Sequence, residues 1–106
     1  MEAFMMQQLI AEQEAGERPY LEFLRRDSMS LGLYALPAGG HDPQQPHHED
    51  EVYYIVSGQG QITVGEETEP VQPGSIVFVA AHVPHKFHDI TEDLKVLVFF
   101  APAETS

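Results

Sequence analysis

Residues 45–58 read QPHHEDEVYYIVSG, two imidazoles and three carboxylates set directly ahead of an apolar, β-prone run. In an extended strand successive side chains point to opposite faces. If the segment stays regular, Gln45, His47 and Glu51 share one face, while His48 and Asp50 take the other. Tyr53 and Ile55 continue the Glu51 face, which makes it the lining of a core with a polar mouth. A single bulge would reverse part of this assignment. The shared face offers an imidazole, a carboxylate and an amide, all suited to a divalent metal that prefers nitrogen and oxygen donors.

The rest of the chain fixes the setting. With 106 residues there is enough chain for one core and one domain. Residues 1–24 are expected to form an N-terminal helix-and-strand arm and residues 25–106 the barrel domain. Seventeen acidic residues against five basic ones give a net charge of −12, a field that repels nucleic acid and anionic membrane surfaces. The chain has no cysteine, so it holds neither disulfides nor thiolate metal ligands, and the six histidines become the chief candidate donors. The first residues are too short and polar a run for a spanning helix and lack a secretory pattern, so a cytoplasmic protein is expected.

Met5, Met6, Leu9 and Ile10 repeat at helical spacing, predicting a short helix over 5–15 that Gly16 ends. After it come short β runs at 20–24, 31–36, 52–56, 61–64, 69–72, 75–79, 86–90 and 94–101, punctuated by Ser57-Gly58, Gly65-Glu66, Pro73-Gly74 and Val83-Pro84. Many short strands without a helical period point to an all-β sandwich or barrel. The run from Leu94 to Phe100 is apolar on both faces except at Lys95, as for a strand covered on both sides by barrel interior and a second layer, the N-terminal helix or a partner subunit. The tail from Glu104 is expected to fray.

A second segment changes the weight of the first. Residues 73–88, PGSIVFVAAHVPHKFH, give a turn, a buried strand, another turn and a histidine that opens a further strand. Together the two stretches resemble the cupin superfamily. In its first motif a histidine precedes a glutamate by three intervening residues and the glutamate precedes a glycine by six, as His47, Glu51 and Gly58 do. In its second, Gly74 and His85 hold the matching positions, with Ala80, His82 and Asp89 replacing the usual proline, glycine and asparagine. The motif's first histidine is replaced by Gln45.

The resemblance implies a double-stranded β-helix, or jelly-roll, barrel with a short N-terminal helix. It also implies a divalent metal ion, of the Zn, Fe, Mn or Ni kind, held by Gln45, His47, Glu51 and His85. Gln45 is taken as the fourth ligand, with His41, His48 or an extra water as alternatives. Two histidines and a carboxylate with open positions suit Lewis-acid or oxygenase chemistry. The expected function is to bind or act on a small oxygen-rich molecule inside the barrel. If the protein is an enzyme, a metal-dependent dioxygenase, isomerase or decarboxylase is implied, and the alternative is a metal-free, non-catalytic cupin. His82 falls in a turn, His88 on the face opposite His85, and Phe87 on the His85 face, packing the interior. The apolar N-terminal segment suggests a homodimer.

Overall fold

The helix α1, Met6–Ala15, carries few apolar residues and buries only Leu9 and Gln13. It ends where the Gly16 N–H closes on the Glu12 carbonyl at 3.2 Å. The computed structural model describes residues 1–43 and 46–105. Six strands follow: β1 Tyr20–Arg26, β2 Met29–Leu36, β3 Asp50–Val64, β4 Glu67–Val71, β5 Ile76–Val79 and β6 His85–Ala101. They pair antiparallel in the order β1-β2-β6-β3-β4, with β5 on the first half of β3.

Two long strands replace what the sequence divides into four short ones. β3 runs 15 residues and β6 runs 17, and they pair along their whole length, from Asp50 opposite Ala101 to Val64 opposite His85. Register shifts interrupt the ladder between Ile55 and Gln61. Across this stretch the inward parity switches once on each strand. On β3 the buried positions are Glu51, Tyr53 and Ile55 before the shifts and Gly58 and Ile62 after them. On β6 they are His85 and Phe87, then Ile90, Leu94, Val96, Val98 and Phe100.

The sequence predicts a turn at Ser57-Gly58; the structure has a bulged, unbroken strand there. The physical reason is that a glycine at positive φ serves a bulge as well as a turn. Gly58 has φ +96, and a Cβ on it would stand 2.1 Å from the Asp93 carbonyl oxygen. Asp89, at φ +48, lies at the corresponding switch on β6. The two switches fold the β3–β6 ribbon over, closing an all-β cupin-type barrel around Tyr34, Leu36, Tyr53, Ile55, Ile62, Phe87, Leu94 and Val96.

Outside the barrel α1 lies on β1 and β2. Leu9 on α1 and Leu33 on β2 are buried outside the inner core, a small second apolar layer, while Phe99 on the outer face of β6 stays exposed. Lys95, the polar exception in that run, donates to Gln13 Oε1 at 2.7 Å and pairs with Glu14 at 3.2 Å, so it ties the helix down. Asp42, 4% exposed, accepts from the Tyr34 hydroxyl at 2.9 Å and the Phe87 N–H at 2.8 Å, anchoring the long connection between β2 and β3 to the barrel.

Gly58→Ala is expected to destabilise the protein by more than about 3 kcal/mol, since strain at positive φ adds to a backbone overlap. Gly39→Ala, also at positive φ (+71) but with nothing within 4 Å, is expected to cost only about 1–2 kcal/mol. Urea denaturation of both variants checks the contrast, and equal losses would refute it.

Candidate functional site

Glu51 stands on the inward parity of β3 and is 1% exposed. His85 opens β6 immediately after Val83-Pro84, at the far end of the same ribbon. Its Nδ1 donates to the Val83 carbonyl at 2.9 Å, since a carbonyl can only accept. That fixes the tautomer of the neutral ring and leaves the Nε2 lone pair facing Glu51 Oε1 at 3.2 Å. His47 lies ahead of β3 rather than in it. Strand parity therefore does not place it. A hydrogen bond from the His82 N–H to the His47 carbonyl, 2.7 Å, and edge contact with the Phe100 ring at 5.0 Å hold it instead. Its Nε2 is 3.8 Å from Glu51 Oε1, and its Nδ1 is 3.4 Å from Glu104 Oε2.

The donor atoms of His47, Glu51 and His85 all lie within 4.8 Å of one another. Ligand atoms about 2.0–2.2 Å from a shared ion stand on the order of 3–3.5 Å apart, so the spacing fits with a small inward movement. Among the described residues both Glu51 oxygens and His85 Nε2 are buried without a hydrogen-bond partner. His85 and Glu51 are at ion-pair distance but lack the alignment of a hydrogen bond. Such orphaned groups cost on the order of 1–3 kcal/mol each, and a cation between them would satisfy all three. Gln45 lies outside the described residues. The three remaining residues of the expected ligand set are brought together; His41, His48 and His82 are exposed, the last two stacked edge to face at 5.1 Å. His88 does face away from His85, but it is only partly exposed, between Thr63 and Asp89 at 2.7 Å each.

Beside the cluster is a cavity of about 170 Å³ lined by Tyr20, Tyr34, His47, Val98, Phe100 and Glu104. Glu104 comes from the tail, where Glu104 and Thr105 are anchored rather than frayed; Ser106 lies outside the described residues. The Glu104 N–H donates to Ser30 Oγ at 2.9 Å, its carbonyl accepts from Arg25 at 2.7 Å, and Thr105 donates to the buried Glu49 at 2.7 Å. Burial pushes the Glu104 carboxyl up; Glu51, Glu49 and Glu22 add to this, and His47 opposes it. For His85 burial alone would push the imidazole down, but the Glu51 carboxylate, the Val83 carbonyl and the Asp42 charge outweigh it, and the net direction is up.

A bent antiparallel barrel with two histidines and a glutamate converging inside it defines a class of small β-barrel proteins. The family profile for the cupin domain matches residues 32–100, and the chain belongs to that family. An uncharacterised protein of Streptomyces coelicolor is 56% identical over 105 residues, covering 99% of this chain and all of its own. The crystal structure of TT1209 from Thermus thermophilus is similar across 97% of this chain and 99% of that one, with a TM-score of 0.80 at 28% identity. The structure titled DMSP lyase DddQ from Ruegeria pomeroyi is similar over 72% of this chain but only 39% of its own, with a TM-score of 0.67 at 26% identity.

The raised His85 value has a definite sign. In metal-free protein it contributes stability that is fully present below the ordinary imidazole range of about 6.5 and is lost as pH rises through the raised folded value. Chelator-treated wild type and His85→Gln, compared by urea denaturation across pH, are expected to differ most in mildly acid solution. A difference that grows toward alkaline pH would contradict this.

Proposed function

We propose that this cupin holds a divalent metal ion on His47, Glu51 and His85, with Gln45 as the fourth donor, and binds a small oxygen-bearing organic molecule in the adjoining cavity. The observation that carries the reading is the convergence of the buried, unpartnered Glu51 oxygens and His85 Nε2, from two remote strand ends, with the His47 ring beside them. Leaving such a set empty is costly, whereas a cation neutralises the carboxylate and engages the lone pairs. Imidazole and carboxylate donors suit zinc, iron, manganese or nickel. When bound, such an ion supplies Lewis acidity toward a ligand oxygen. His85 is held in the competent tautomer by Val83, Glu51 bridges the two rings, and Tyr53, with Phe87 against it, backs the His85 ring at 6.0 Å.

Protein purified without chelator is expected to carry about one ion per chain, and the His47→Ala, His85→Ala double variant to carry none, by elemental analysis. Equal metal content in the two, or no uptake of Mn, Fe, Ni or Zn by wild type, would instead support the metal-free, non-catalytic cupin.

The same reading includes a homodimer. On the outer face of the sheet Phe78, Val52, Phe99 and Leu31 stand side by side across four strands, with Ile76 beside Tyr54 in the next row. Ile76 is 69% and Phe78 61% exposed. These side chains carry no charge in a chain of net −12, so this face is where two copies meet with little repulsion. Light scattering at micromolar concentration is expected to give the dimer mass for wild type and the monomer mass for Phe78→Glu. A monomeric wild type would sink the proposal.

A further inference from the structure

The cavity contains polar groups that the cation does not need. Tyr20 opens β1, opposite Tyr34 on β2. Its ring fills the space over Gly32, where a Cβ would stand 2.2 Å from the ring's Cζ and from Oη, so the glycine is what seats this tyrosine. Among the described residues the Tyr20 hydroxyl is buried with no hydrogen-bond partner. The Tyr34 hydroxyl, in the same wall, is already committed to Asp42. Burial holds the Tyr20 phenol far above its ordinary range, with Glu104 and Glu22 adding to the effect, so the group is a donor. The Glu104 carboxylate, brought in by the tail, is an acceptor on the same lining.

Size and charge limit what fits. A cavity of about 150 Å³ lined by apolar side chains holds benzene, and this one measures about 170 Å³. Val98, Phe100 and the two tyrosine rings make most of its wall apolar. No lysine or arginine is among the lining residues, so an anionic end group placed against Glu104 would meet a like charge with no basic side chain to offset it. A hydroxyl meets both demands, because it accepts one hydrogen bond and donates another.

We propose that Tyr20 and Glu104 recognise a hydroxyl group, and that the cavity takes a small hydroxylated organic molecule of roughly benzene's bulk. This rests on the cavity being the ligand chamber of the function proposed above, and not on the metal.

The test uses phenol and toluene, which match in shape and differ in one hydroxyl against one methyl. Both are titrated into chelator-treated full-length protein and followed by NMR shifts of the Val98 methyls. Wild type is expected to prefer phenol by at least about 10-fold, since the hydroxyl makes two hydrogen bonds, one of them to a carboxylate. Tyr20→Phe keeps the ring on Gly32 and the Glu104 acceptor, and is expected to lower the preference for phenol about 3–10-fold. Glu104→Gln, whose amide oxygen still accepts, should retain the preference for phenol, and Glu104→Leu should lose it. The proposal is overturned if wild type prefers toluene, if Tyr20→Phe leaves the preference unchanged, or if neither probe shifts the cavity resonances. Metal content measured on the untreated batches decides the metal reading separately.

Discussion

The site exists because one ribbon cannot stay straight. Glu51 and Val64 are thirteen residues apart on β3, a span of about 43 Å at the rise of a regular strand. His85 is the ladder partner of Val64, yet its Nε2 lies 3.2 Å from Glu51. Only a strand that turns back on itself can bring its own two ends together. The inward face changes parity near Gly58 on β3 and near Asp89 on β6. Without the first change Ile62 would face solvent, and without the second either His85 or the Leu94–Phe100 series would leave the core.

That geometry explains how far the sequence could be read. Alternation identified the strands, and Glu51, Tyr53 and Ile55 fell on the inner face as strand parity requires. Gly58 was legible as a break but not as a bulge, since both use the same permissive φ and differ only in whether pairing continues. Asp89 gave no local signal, because its positive φ is imposed by the ribbon's bend. His47 was reached by motif spacing, although a loop and the His82 contact place it rather than strand alternation. Tyr20, Asp42 and Glu104 carry no comparable signal. They come from an apolar run, a connection and a terminus, and their burial depends on long-range packing that no window of neighbours encodes. The anchoring of Glu104 and Thr105 is hidden for the same reason, since their partners Ser30 and Glu49 are over fifty residues away.

The charge distribution gives the site its character. Of five basic residues, Lys95 is spent on α1, Arg25 on Glu22 and the Glu104 carbonyl, and Arg26 on Glu2. None lines the cavity beside the cluster. Positive charge at the buried carboxylate must therefore come from a proton or an ion, and the acidic surface raises the local concentration of cations. Meanwhile the apolar wall of Val98 and Phe100 keeps the surroundings poorly solvated, which strengthens whatever electrostatic contact forms there.

The strap formed by Ala103, Glu104 and Thr105 has a practical side. It completes the chamber wall but contributes no strand to the sheet. Displacing it would open one side of the chamber and leave the buried Ser30 hydroxyl and Glu49 carboxylate without these partners, so ligand capture and stability would fall together.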